Sequence, residues 1–319
     1  MQILKKVIFI LILLLVVLTI AINYKIENER IVIVDIPKGS SATLISKILK
    51  ENDLILNEDL FNLYSRVLLK DKAFRAGEYK FDTRLSIYDI AVRLIAGDVF
   101  YRKLTLVPGT TISDILKLGN SEGLVNDLVG KSQDISKKFG IDLKEGIFFP
   151  DTYYYLKGDK FSSILINSSK KWKSKSKELW DKRKSNLPYK NLSEAITLAS
   201  IIEKEGLEKR KIASVFINRI KRNMKLQSDP TVIYALGKNF DGNLTKKNLR
   251  IDNSYNTYKY KGLPPGPISI VSLDSLEAAL NPVSTNYLYF VSKGDGSHKF
   301  SKTLSEHNKA VLKYQINAR

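Results

Sequence analysis

Apolar residues run without a charge from Val7 to Ile22, "VIFILILLLVVLTIAI", directly after Lys5 and Lys6. Sixteen residues are few for a bilayer span, but Asn23 and Tyr24 extend the run into the interfacial zone that tyrosine favours. A cleaved leader has a shorter apolar region and a small-x-small site. Ala21 is the small residue near the end here, so the segment reads as an uncleaved signal anchor over 7–24. The two lysines keep residues 1–6 in the cytoplasm and send the rest of the chain across the membrane. Residues 25–30, "KIENER", then form a polar tether.

Shorter patterns follow. "IVIVDI" reads as a strand, Pro37 to Ser41 as a turn ending in a serine N-cap, and Ala42 to Lys50 as an amphipathic helix. "LTLVPGTTISDIL" (104–116) repeats that order, with "GEYKF" and a helix over 87–95 between the copies, so a strand–turn–helix unit occurs twice. At "LKEGIFFPDTYYY" the chain turns aromatic, which marks the start of a second domain. A long helix is expected over 161–184. Eight basic residues in its 170–184 stretch read as a solvated face. A helix near 212–226, a polar loop at 227–231, an aromatic and amide-rich Pro-Gly segment at 255–268, a hairpin turning at Gly294 to Gly296 and a closing helix over 305–314 complete the pattern. The fold class expected is α+β.

Composition narrows the chemistry. The absence of cysteine removes disulfides, thiolate nucleophiles and cysteine metal sites. Two histidines, His298 and His307, stand outside any H-E-x-x-H pattern, so no metal centre and no cofactor are expected. The net charge of +19 suits a polyanionic partner, whether nucleic acid, anionic lipid or a wall polymer. Without a zinc-finger spacing or an RNP-like motif, nucleic acid is set aside. "GNSEG" (119–123) matches the G-x-S-x-G elbow in letters alone, because a helix and not a strand precedes it; Gly119 is expected to be that helix's C-cap.

The candidate chemistry lies in "LASIIEKEG" (198–206). On a helical wheel both Glu203 and Glu205 fall within the apolar arc, about 160° apart around the axis, so they cannot act as a facing pair. Ala199 and Ser200, one turn before Glu203, leave room for a ligand to approach it. Glu205 stands four before Lys209, an ion-pair spacing if the helix survives Gly206. Glu203 therefore reads as accessible and Glu205 as structural. A carboxyl in an apolar cleft has a raised pKa, as a general acid needs. On the wheel alone, a glutamate satisfied by a buried cation or backbone donor is an equal alternative.

"EGIFFPDTY", "LASIIEKEG", "VFINRIKRNMKLQSDPTVIYALG", "YNTYKYKGLPPGPIS", "NPVSTNYLYFVSKGDGSHKF" and "HNKAV" occur in the order found in the MltG (YceG-like) endolytic murein transglycosylases, which the chain resembles over about 145–314. The resemblance implies a LysM-like, peptidoglycan-associated α/β region at 31–107, a connecting helical segment at 108–144 and a catalytic domain at 145–317. It implies cleavage of the β-1,4 bond between N-acetylmuramic acid and N-acetylglucosamine, the muramyl C6 hydroxyl closing a 1,6-anhydro end without water. It places the catalytic glutamate at Glu203, acting as acid and then base, with Gln227, Ser228, Asp229, Asn256 and Tyr258 holding the glycan. Two letters depart from the commoner pattern: Ser228 stands where threonine is expected, and Gly206, again in a threonine's place, would end the helix early.

The expected protein is a single-pass enzyme of the cell (inner) membrane with its catalytic domain outside the cytoplasm. It would trim nascent glycan strands beside the peptidoglycan synthases and end their elongation. The alternative is a non-catalytic wall-binding scaffold with the same fold.

Overall fold

The computed structural model describes residues 1–25, 30–68, 73–128, 130, 136–137, 140 and 143–316. Most of the expected tether and part of the expected 108–144 connector lie outside these residues. The chain divides into two compact units. One comprises Met1–Lys103, Glu122–Leu124 and Tyr154–Asp159; the other comprises Leu104–Ser121, Val125–Tyr153 and Lys160–Arg319. Most of the described part of the expected connector thus groups with the second unit.

In the first unit, α1 (Gln2–Asn23) is long and apolar enough to cross a membrane. Only its last turns meet protein: Ile22 is buried and Leu18 packs on the unit's core. The order then runs β1 (Ile31–Ile36), α2 (Ala42–Glu51), α3 (Glu58–Leu68), β2 (Gly77–Asp82) and α4 (Ile87–Ala96). β1 and β2 pair antiparallel, Val34 opposite Tyr79 and Val32 opposite Phe81. Val34 and Ile36 alternate inward on one strand, Tyr79 and Phe81 on the other, as the two-residue period of a strand requires. The amphipathic α2 closes that face through Ile45 and Leu49. Its start is fixed by Ser41, whose Oγ accepts the Leu44 N–H at 3.2 Å. Ser86 and Asp89 form a full capping box at the head of α4.

β3 (Arg102–Thr105) opens the second strand–turn–helix copy, followed by α5 (Ile112–Lys117) with Thr111 as its N-cap. The two copies do not build one sheet, because β1 pairs with β2 and not with β3. Gly119 is not the cap of α5. The helix ends on Leu118 and continues as a 3-10 turn over Leu118–Asn120. Gly119 is buried there because a Cβ would lie 2.8 Å from the Phe161 ring, so close packing and not backbone sign requires the glycine.

β4 (Thr152–Tyr155) is divided between the units at Tyr153, and the rest of the second unit is α6 (Phe161–Asp181), α7 (Leu192–Glu205), α8 (Lys209–Lys221), α9 (Asp229–Leu236), α10 (Leu273–Leu280), the hairpin β5 (Tyr289–Ser292) and β6 (His298–Ser301), and α11 (Leu304–Val311). The 227–231 segment is not all loop. Asp229 and Pro230 open α9, an acidic residue and a proline in the first turn where the macrodipole and the fixed φ favour them. The basic face of α6 carries exposed ion pairs such as Lys177–Asp181 and Lys182–Glu178, as expected of a solvated surface. The core gathers on α7: Leu198, Ala199, Ile201 and Ile202 pack with Ile212 and Phe216 of α8, Leu276 and Leu280 of α10, and Trp172 of α6. Burial on nearly every side makes α7 the central rod of this unit, and its C-terminal turn carries the two glutamates.

Candidate active site

α7 ends at Glu205 because Gly206 adopts φ 152°, a backbone that side chains disfavour. The chain turns there, and α8 starts again at Lys209. No helical i,i+4 relation therefore joins Glu205 to Lys209, and the structure reverses the expected partners. The Lys209 ammonium lies 3.1 Å from Glu203 Oε1 and 3.0 Å from the Ser272 hydroxyl. Glu203 Oε2 accepts the Ser272 N–H at 2.9 Å and also its hydroxyl. Ser272 is the N-cap of α10, so one carboxylate ties the end of α7 to the starts of α8 and α10. Its side chain is 9% exposed. Burial alone would raise its pKa, but the Ser272 hydroxyl and N–H and the Lys209 ammonium outweigh burial and hold it below the ordinary value. Glu203 is thus ionised and paired with Lys209.

Glu205 has the properties expected of Glu203. It lines a largely polar cavity of about 580 Å³ with Arg219, Gln227, Asp229, Tyr258 and His298. Its carboxyl is desolvated, which pushes its pKa up to about 7 against a hydrogen bond from the Ser228 hydroxyl; the nearby Asp229 charge adds to the rise, and Arg219 opposes it. The carboxyl is therefore half-protonated near neutral pH, has no ion-pair partner of its own among the described residues and opens on a cavity. A general acid needs this combination.

The other expected residues separate into three groups. Gln227, Asp229 and Tyr258 line the cavity. Gln227 adopts a left-handed φ of 51°, an uncommon conformation for a non-glycine that recurs at ligand sites; its N–H donates to Thr257 O at 3.2 Å. Asp229 accepts the Tyr258 hydroxyl at 2.6 Å. Ser228 is buried and donates its hydroxyl to Glu205, and its N–H donates to Thr257 Oγ1 at 3.0 Å; it is not among the residues that line the cavity. Asn256 is not among the residues that line the cavity. It is fully buried; its amide donates to Leu249 O and Ile251 O, and its Oδ1 accepts the Tyr258 N–H at 2.9 Å. Those bonds use the side chain to shape the loop that carries Tyr258.

Arg219, Tyr289, His298 and His307 also line the cavity. Arg219 sits three after Phe216 and seven after Ile212, on the apolar face of α8. A lone cation at that spacing is the legible signal of a buried charge. It is 7% exposed, and its guanidinium donates to Leu288 O at 2.6 Å, Leu226 O at 2.8 Å and Gln227 Oε1 at 3.4 Å. It has no ion pair among the described residues, so its charge faces the cavity without a formal counterion. His298 is held through its N–H to Glu208 Oε2 at 2.7 Å, its ring edge-on to Phe290. A Cβ on Gly206 would lie 2.9 Å from His298 Cε1. Gly206→Ala is thus expected to lower stability by about 1–3 kcal/mol and to displace the His298 ring, checked by urea unfolding and by the His298 proton resonances. An unchanged midpoint and spectrum would show that the turn tolerates a side chain.

The YceG-like family model matches residues 34–313. An endolytic murein transglycosylase of Bacillus subtilis is 37% identical over 90% of this chain and 86% of its own length. A protein of the same name from Streptococcus pneumoniae is 28% identical over 90% of this chain, which spans 59% of that longer relative. The crystal structure of a YceG-like protein from Listeria monocytogenes, 32% identical, superposes on 89% of this chain and all of its own with a TM-score of 0.53. On this match, which takes in both units and every residue of the cavity bar its last side chain, the chain belongs to the YceG-like family.

Proposed function

We propose that the chain is an endolytic murein transglycosylase whose general acid and base is Glu205. The supporting observation is the desolvated carboxyl of Glu205, about half-protonated at neutral pH, at the wall of a polar cavity with Arg219, Gln227, Asp229 and Tyr258. The names of the relatives supply the substrate class. The protonated carboxyl donates to the glycosidic oxygen as the bond to muramyl C1 breaks, and the N-acetylglucosamine end leaves as an alcohol. The carboxylate left behind sits beside the Arg219 charge, which stabilises it. It then takes the proton of the muramyl C6 hydroxyl as O6 bonds to C1. The ring closes as a 1,6-anhydro end, and no water is consumed. One carboxyl suffices because the attacking hydroxyl is tethered to the reacting sugar; hydrolysis with retention or inversion uses two.

α1 would anchor this chemistry at the membrane, with Lys5 and Lys6 on the cytoplasmic side, where strands are newly made. The first unit would serve as the LysM-like, wall-associated module that the resemblance suggests. Digestion of purified glycan strands by the full chain, with products read by mass spectrometry, tests the reading: anhydro-muramyl ends are expected, reducing muramyl ends would make it a hydrolase, and no product would favour the scaffold. The acid must carry its proton to start the reaction. Hence kcat/KM is expected to fall as pH rises through about 7, about tenfold per pH unit above it. A flat profile from pH 6 to 9 would remove Glu205 as the acid.

A further inference from the structure

A second cavity of about 730 Å³ lies within the same unit, on the other side of the α7 terminus. Its walls are Tyr234, Phe240 and Ile268, and its polar groups include Glu145, Lys204 and Lys238. The mechanism above uses none of them. Lys204 donates to Gly109 O at 3.3 Å, and neither Lys204 nor Lys238 has an ion pair among the described residues. Lys117, at the same cavity, is already neutralised by Asp114 at 2.8 Å. Glu145 accepts the Ile112 N–H at 3.0 Å, and desolvation pushes its pKa up to about 7. The cavity thus offers an aromatic and aliphatic wall, two unpaired ammonium groups and one half-neutral carboxyl.

An uncharged sugar ring has no use for two lysines. In murein the carboxylates and apolar side chains belong to the short peptides that hang from the muramyl sugars. The spacing fits such a branch. Lys204 lines this cavity and Glu205 the other; Pro230 lines this one and Asp229 the other. Adjacent Cα atoms are only about 3.8 Å apart, while three extended residues reach about 10 Å. The two cavities thus share the end of α7 and the start of α9 as walls, and a peptide branch on the sugar cut at Glu205 is the part of the substrate that would extend from one toward the other.

We propose that this cavity is a stem-peptide subsite, Lys204 and Lys238 holding the peptide's carboxylates and Tyr234 and Phe240 its apolar side chains. The proposal rests on the transglycosylase reading and names the form of substrate that the enzyme prefers. A full-length chain carrying Glu205→Gln, in detergent, binds without turning over, so affinity can be read by titration calorimetry. A disaccharide-tetrapeptide is expected to bind about tenfold tighter than the same disaccharide without peptide, the size of two partly exposed charge pairs. Lys238→Glu and Phe240→Ala, each added to that chain, should abolish the preference and leave the peptide-free affinity unchanged. Equal affinities for the two ligands, binding of neither, or a preference that survives both substitutions would overturn the proposal. So would a loss of peptide-free affinity in Phe240→Ala, which would make the cavity a glycan subsite. Wild-type cleavage of peptide-free strands is scored separately, so failure of the catalytic reading is distinguishable from failure of this one.

Discussion

Glu205→Gln is expected to reduce anhydro-end formation by about 10²–10⁴-fold, the usual worth of a positioned proton donor, with no change in the unfolding midpoint. The substitution keeps the size of the side chain and an oxygen for the Ser228 hydroxyl. It removes only the proton that the glycosidic oxygen requires. Because a neutral amide replaces a carboxyl that is already half-neutral at pH 7, the desolvation penalty is not increased. The loss should appear in kcat, with KM for the glycan little altered, because Gln227, Asp229 and Tyr258 still line the cavity. Turnover near the wild-type rate would show that another group carries the proton.

Glu203→Ala is expected to do the opposite: to lower stability by about 3 kcal/mol, the scale for deleting one member of a buried pair. At about 2–4 °C per kcal/mol for a unit of this size, the second unit should melt roughly 6–12 °C lower. The substitution strands the Lys209 ammonium, whose side chain is 20% exposed, and leaves the α10 N-cap without its acceptor. Lys209→Met added to it should recover part of the loss, since the stranded charge is then gone. Below the melting range the alanine variant should still form anhydro ends, which separates a structural glutamate from a chemical one. If Glu203→Ala kept the wild-type midpoint but lost all product, the roles of the two glutamates would be exchanged again.

Much of this molecule was legible in order along the chain. The run "IVIVDI" located β1, a serine marked the N-cap at Ser41, and the Gly294–Gly296 turn set the hairpin. These features are local, and local propensity needs no partner to declare itself. The wheel also placed both glutamates in the apolar arc of α7, which is where they lie. It could not rank them. The wheel reports direction from an axis and not what waits there, and the waiting groups arrive from 63 to 69 residues away: Ser272 reaches Lys209 and Glu203 from the cap of another helix. The place of Asn256 was hidden for a related reason. An amide in a polar loop looks free until the backbone carbonyls that consume it, at Leu249 and Ile251, are seen.

What the sequence determined alone was the apolar N-terminal helix, the α+β pattern, the cysteine-free chemistry and the presence of two carboxyls on one buried turn. Tertiary structure decided which of them is ion-paired and which faces a cavity without a cation of its own. The physical reason lies in three residues: Gly206 breaks the helix, the break redirects Lys209 away from Glu205, and the ammonium pairs with Glu203 instead. Glu205 is left without a cation of its own, desolvated beside Ser228 and Arg219, and of the two carboxyls on this turn it is the one whose pKa is raised toward neutral pH.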